Sequence, residues 1–224
     1  MKYFYVVILF VCIGTTSFAQ SYSGSGNYNR IGLQGQIASF NIDTSDFNVQ
    51  SETGFLGGFT TRGRLRNNFG MVYGLDFLSS SVNIQTREVG STQTEDTEFS
   101  TIGAKLNIFL SYNLIDKHLA IDVGPALLIN GKLEVKESSQ EGNIVSGYTS
   151  LTAGDLEEIS RINPFGVIGI TGGFEHVRFT VQYHYGFTNI LNNLNDQNLS
   201  EIDAQASDFS GNASIISGGI VFYL

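Results

Sequence analysis

Three histidines, His118, His176 and His184, are the side chains of this sequence best suited to acid–base or nucleophilic work. A Ser-His-carboxylate set cannot be assembled around them: His118 and His176 fall beside tight turns, and His184 lies inside an alternating segment. Gly166, Gly169 and Gly172 are spaced to open a strand, not a strand-to-helix turn, and no helix follows to accept a phosphate. There is no P-loop, H-E-x-x-H or G-x-S-x-G motif, and no acidic run has EF-hand spacing. No catalytic residue, cofactor site or metal ligand is therefore assigned. The only cysteine, Cys12, lies in an apolar N-terminal run after bulky Phe10 and Val11, which disfavours lipidation there and leaves the rest of the chain without thiol chemistry.

A different set of polar residues shares a pattern. Arg62, Arg64, Lys105 and Arg178, the acids Asp76 and Asp122, and His184 with Gln34 all fall on the non-apolar side of segments whose other side is oily. If those sides face one enclosed space, the charges must pair, because an unpaired buried charge is costly. The expectation is an interior network of ion pairs and hydrogen bonds with a packing role.

The elements that would position this network have a period of two. In FGMVYGLDF, Phe69, Met71, Tyr73, Leu75 and Phe77 alternate with Gly70, Val72, Gly74 and Asp76. TIGAKLNIFLSYN and VRFTVQYHYGFT repeat the device, and successive strand side chains point to opposite faces. The spacing predicts eight strands: Arg30 to Phe40, Phe55 to Leu65, Phe69 to Ile84, Phe99 to Leu114, His118 to Leu133, Arg161 to Phe174, Val177 to Thr188 and Asn212 to Leu224. Pro125 cannot donate to a ladder, so a bulge or bend is expected there. The connections alternate long and short, with long ones at 41–54, 85–98, 134–160 and 189–211 and short ones at 66–68, 116–117 and 175–176.

Segments of about ten residues, an even strand number and this long-short rhythm are what an outer-membrane barrel shows, with long loops outside and tight turns in the periplasm. Eight strands enclose an interior just wide enough for side chains to fill, so the lumen should be a packed polar core and not a pore. The start of the chain agrees. Lys2, the apolar run Tyr3 to Ile13 and the small residues Ser17 and Ala19 read as a signal peptide cleaved before Gln20. Residues 1–19 are then the signal, 20–29 a short periplasmic segment and 30–224 the barrel domain. Ser217, Gly219, Phe222 and Leu224 match the alternating C-terminal strand that barrel assembly machinery reads, with Leu in place of the usual terminal aromatic.

The formal charge of −9 argues against nucleic-acid binding, which needs a basic footprint. All but four of the 21 acidic residues lie in the four long connections, the exceptions being Asp76, Asp116, Asp122 and Glu175. One face of the molecule should therefore be acidic and hydrated, among the cation-bridged headgroups of lipopolysaccharide.

RIGLQGQIASF, GFLGGF, IDVGPALLIN and VQYHYGFTNIL resemble the PorT-like outer-membrane β-barrel family of the Gram-negative Bacteroidota. Tyr183, Tyr185, Gly186, Phe187, Thr188 and Asn189 resemble its Y-x-Y-G-[LF]-x-N stretch, and Gly124 and Pro125 its Gly-Pro. The resemblance implies an eight-stranded barrel in the outer membrane, without an assigned activity for many members; the name-giving member is linked to a gliding-associated secretion system.

The fold expected is all-β, an eight-stranded antiparallel up-and-down transmembrane barrel. The function expected is non-enzymatic: structural, adhesive or accessory to an envelope complex, acting through acidic extracellular loops. The alternatives are a secreted soluble β-barrel that binds a small apolar ligand and a lipid-modifying outer-membrane barrel enzyme.

Overall fold

The computed structural model describes residues 30–224; the export signal and the periplasmic segment expected at 1–29 lie outside the described residues. Ten strands occur in chain order: β1 (Arg30–Thr44), β2 (Val49–Arg64), β3 (Phe69–Arg87), β4 (Thr94–Ile115), β5 (Leu119–Asn130), β6 (Glu134–Val135), β7 (Ile144–Val145), β8 (Ile162–Gly173), β9 (Val177–Asn189) and β10 (Gly211–Tyr223). Eight of them form an antiparallel up-and-down ring in the order β1-β2-β3-β4-β5-β8-β9-β10. The ring closes where β10 pairs β1 from Gly32↔Tyr223 to Thr44↔Gly211, so no long barrel strand is left with an open edge. Two-residue β6 and β7 lie outside the ring, pairing with the far ends of β4 and β3.

The tight turns match the sequence expectation, and two of them place a residue in the left-handed region, Asn67 at φ 59° and Lys117 at φ 62°. At Pro125 the expected bulge does not occur. The β5–β8 register runs unbroken through Pro125↔Gly166, while the β4–β5 ladder skips from Asn107↔Ala126 to Leu110↔Val123. The missing N–H is accommodated by a lapse in pairing on the β4 side, and the register step falls instead between Asn113 and Ile115.

The four strands β1 to β4 run further than the sequence suggested. The first two long connections shrink to residues 45–48 and 88–93, because the period of two continues past the expected strand ends with its polarity reversed. Along β3, the outward positions Phe69, Tyr73, Leu75 and Phe77 give way to Ser79, Ser81, Asn83 and Gln85, while the inward positions pass from Asp76 to Leu78, Val82 and Ile84. In β1 the change comes at Ile37, beyond which Asn41 and Asp43 point out and Phe40 and Ile42 point in. In β4 it comes at Ile102, with Glu98 and Ser100 outside and Phe99 fully buried. Ile37 pairs with Phe55, Phe55 with Ser79 and Ser79 with Ile102, so these reversal points form one continuous line around the wall.

The line divides the barrel into two zones. On one side of it, large apolar side chains are exposed all round the wall, Ile37, Phe59, Phe77, Leu106, Ile168 and Phe179 among them, and the inside holds the buried polar side chains together with apolar Val72 and Phe109. On the other side the outside is polar and the inside is an apolar cluster built jointly from strand ends and loops. No helix among the described residues is long and apolar enough to cross a membrane; the exposed apolar surface belongs to strands.

Candidate functional site

The lumen and the mouth above it are the two places where side chains of chemical interest gather. Within the belted zone the lumen holds two polar clusters. In the one nearer the tight turns, Arg62 of β2 spans the interior to Asp122 of β5, Nη2 to Oδ2 2.7 Å, with both side chains nearly inaccessible. Thr171 donates to the same oxygen at 2.6 Å, Arg62 Nη1 donates to Ser111, and Tyr223 lies 3.4 Å from Arg62 Nε. Arg178 donates to the backbone carbonyls of Thr171 at 3.3 Å and Lys117 at 3.4 Å, which ties β9 to the turn before β5. Each charge thus has hydrogen-bonding partners, which is what makes a buried charge tolerable.

The second cluster centres on Asp76. Asn107 donates to Oδ2 at 2.6 Å, Gln34 donates to Oδ1, and Lys105 Nζ stands 3.6 Å from Oδ2 with none of its side chain exposed. His184 lies fully buried, its Nε2 3.5 Å from Ser217 Oγ. Ser217 donates to Gln36 Oε1 at 2.8 Å, and no carboxylate of the described residues hydrogen-bonds His184 Nδ1. This Ser-His contact therefore lacks an orienting acid and an approach for substrate, two requirements of a nucleophilic site. No group of three or more potential metal ligands occurs among the described residues.

Arg62, Asp76, Lys105, Asp122, Arg178 and His184 are all buried. Arg64 is not. It ends β2 where the barrel opens, so its inward position meets solvent, and its half-exposed side chain reaches Asp116 of the neighbouring turn at 3.8 Å.

The expectation of a wholly polar core and of merely hydrated loops needs correcting. Loops 131–161 and 190–210 fold over and into the mouth, burying Leu133, Leu151, Leu156, Ile159, Leu194 and Phe209 against strand residues Phe40, Ile84 and Phe99. Phe209 packs beside Phe47 and Tyr148, with ring centroids 6.4 Å and 6.2 Å away. β6 and β7 flank the projecting β3–β4 hairpin and cover its two edges through Phe99↔Val135 and Thr86↔Val145.

Several acidic residues of the loops hold this cap together. Asp203 of the last loop accepts hydrogen bonds from the backbone N–H groups of Thr149 at 2.6 Å, Ser150 at 2.8 Å and Gln205 at 3.0 Å. Those donors, Gln205 first, hold its carboxyl below the usual Asp range. Asp46 likewise receives the N–H of Ser210 at 2.7 Å. Thr152 and Asp155 form a capping box on a short 3-10 helix, Ala153–Leu156. Glu98 pairs with Lys136 at 2.9 Å, and Glu158 is held between Lys132 at 2.7 Å and Arg161 at 3.1 Å; both carboxyls titrate lower than usual because of those hydrogen bonds. The sequence signal for the cap was present in the apolar residues scattered through both loops, which a freely hydrated loop would not carry.

The geometry provides a barrel whose lumen is crossed by paired side chains, under a cap that carries most of the acidic residues. No protein-family model matches this sequence, and no curated protein matches it. Solved structures similar to it include the outer membrane protein OprG from Pseudomonas aeruginosa, with a TM-score of 0.45 and 10% identity over 88% of this chain and 96% of that one. Neisserial surface protein A gives 0.42 and 13% over 86% and 96%. Ail, the attachment invasion locus protein of Yersinia pestis, gives 0.42 and 9% over 88% and 97%.

Proposed function

We propose that this chain is an exported outer-membrane barrel that does no chemistry and conducts no solute, and that its business with the outside is done by the folded cap. The observation that carries this reading is the reversal of polarity along β1, β3 and β4. A strand that passes from hydrocarbon into water must change which of its faces is oily, and here three strands change along one line. Phe69 to Phe77 spans nine residues and Ile102 to Tyr112 eleven, close to the ~9–11 residues that a tilted strand needs to cross the bilayer core. A soluble barrel would expose that whole belt to water, far beyond the few hundred Å2 of contiguous apolar patch usual for soluble monomers.

The tight turns then face the periplasm and the cap faces outward, among lipopolysaccharide headgroups. Residues 1–19 serve as a cleaved signal and barrel assembly machinery inserts the chain. The role is structural, adhesive or accessory to an envelope complex, with an envelope protein as the partner for the cap. Membership of the PorT-like family rests on the quoted motifs alone.

Cell fractionation with a heat-dependent gel shift tests the reading, together with single-channel recording from the purified chain in planar bilayers. Outer-membrane recovery, a folded form that migrates faster than the boiled one and a flat current trace are the expected results. Folded protein in the soluble periplasm, or steady conductance, would overturn it.

A further inference from the structure

Cationic side chains crowd together at the end of the barrel that carries the tight turns. Arg30 opens β1, Arg62 lies near the end of β2, Arg178 near the start of β9, and Tyr223 closes β10. Their strands are neighbours in the order β9-β10-β1-β2, so the four side chains bracket the seam where the first and last strands meet. Together with Glu175 of the β8–β9 turn they line a crevice of about 10 Å3, roughly the space of one water molecule. Three guanidiniums and one carboxylate thus surround a space one sphere wide. Arg30 and Arg62 are directly opposed in the β1–β2 register, a placement that is destabilising for like charges.

We propose that this crevice binds one monatomic anion, chloride in a saline medium. Arg62 gives three of its five N–H groups to Ser111, Asp122 and Tyr223, and the other two have no acceptor among the described residues. The buried Tyr223 hydroxyl accepts from Arg62 at 3.4 Å, and its own hydrogen likewise has no acceptor there. Glu175, the one carboxylate of the wall, is half-exposed and engaged by Arg30, which also donates to the Glu175 carbonyl at 3.0 Å. Even with Asp122, which stands behind Arg62, the charged side chains of the site number three cations against two anions.

The chemistry of the wall chooses the occupant. A water molecule must place two hydrogens on acceptors, and this wall offers mostly donors. An anion needs no acceptor, and its hydrogen bonds from guanidiniums are charge-assisted, roughly twice as strong as neutral ones. Width then excludes the larger anions, because phosphate, sulfate and carboxylates are several atoms across and a halide is one. Held in the crevice, the ion offsets the repulsion between Arg30 and Arg62 and joins the two sides of the seam through a single centre. The barrel should therefore be more stable in chloride than in a bulkier anion at the same ionic strength. This inference stands on the closed ring and does not depend on the bilayer reading.

The test measures the temperature at which the full purified chain, in nonionic detergent, loses its β-sheet circular dichroism in sodium chloride, bromide or gluconate at one ionic strength. Chloride and bromide should raise it by several degrees over gluconate, and the gain should saturate with halide concentration. Arg30→Gln should abolish that difference and Tyr223→Phe, which removes the hydroxyl donor, should reduce it. Arg161→Gln, exposed at the opposite end, should keep it in full. Each variant is read as the difference between its own halide and gluconate values, so a general loss of stability does not enter. Crystals grown in bromide should show the ion by anomalous scattering between Arg30, Arg62, Arg178 and Tyr223. No halide effect in the wild type, or the same effect in wild type and Arg30→Gln, would overturn the site. So would a water in the crevice of the bromide crystals. A bromide peak there without saturable stabilisation would mean an adventitious ion only, and would overturn it equally.

Discussion

Arg62 and Asp122 stand on β2 and β5, on well-separated parts of the barrel wall, and meet inside it at 2.7 Å. Two strands, β3 and β4, separate theirs along one arc of the ring and four along the other, so the pair acts as a strut across the lumen and not as a rung between neighbours. Replacing Asp122 by Asn leaves the guanidinium buried without its counter-charge, a change that typically costs about 3–5 kcal/mol. Asp122→Asn is therefore expected to lower the temperature at which the barrel loses its gel shift. The double variant Arg62→Met, Asp122→Leu, which removes both charges at similar volume, should recover most of that loss. An unchanged melting temperature in Asp122→Asn would remove the strut.

How much of this was legible beforehand depended on the range of the signal. The belted part of the barrel was readable because FGMVYGLDF and VRFTVQYHYGFT announce both faces locally, and the residues opposite each oily wall, Asp76 and Arg178 included, fall inside as a result. The strand extensions were hidden. Asn41, Asp43 and Gln85 look like loop residues until it is known that Phe40, Ile42 and Ile84 beside them have something apolar to cover. That something is Leu151, Leu156, Leu194 and Phe209, far away in sequence and without any period of their own. Reading the acidic residues as hydration missed the same fact from the other side, since Asp203 and Asp46 spend their oxygens on backbone N–H groups of the cap.

Asp203 makes the cap sensitive to acid. Its carboxyl titrates below the ordinary value of 3.8 in the folded cap, held there by the N–H groups of Gln205, Ser150 and Thr149. A group with a depressed folded value stabilises above its unfolded value and loses that contribution as pH falls through the folded one. The cap should accordingly hold at pH 5 and above and loosen as pH drops below ~4. Glu98 and Glu158 shift in the same direction and add to the effect. Hydrogen exchange is expected to rise at residues 146–151 and 199–209 in acid, with the strands in the belt unaffected. Asp203→Asn should show faster exchange there already at pH 7 and a smaller change on acidification. Equal exchange in wild type and variant at pH 7 would refute the latch.

Phe209 supplies the aromatic centre of the cap, and its replacement separates cap from barrel. It is buried between Phe47 and Tyr148, so Phe209→Ala opens a cavity of the kind that costs about 3–5 kcal/mol. That loss falls on loops and strand ends and not on the belted ladder. Limited proteolysis should cut within residues 131–161 and 190–210 of the variant much faster than in wild type, while the gel shift persists. Loss of the shift together with the cap would mean that barrel and cap fold as one unit.

The line of reversed polarity makes the sharpest prediction, because two residues on the same face of one strand should answer oppositely to the same change. Leu75 and Asn83 both point outward from β3, eight positions apart, one on each side of Phe77 and Ser79. An arginine at the depth of Leu75 must sit in hydrocarbon, at a cost of about 2–4 kcal/mol near the middle of a bilayer, falling to about 0–1 kcal/mol near its surface. At Asn83 the side chain is already beside Glu52, which accepts a hydrogen bond from it at 2.7 Å, so an arginine there finds water and a counter-charge. Leu75→Arg should fold poorly into phospholipid vesicles and show a lowered urea midpoint once folded. Asn83→Arg should behave as wild type in both measurements. Equal effects from the two would erase the boundary between belt and cap, and with it the orientation assigned to the whole molecule.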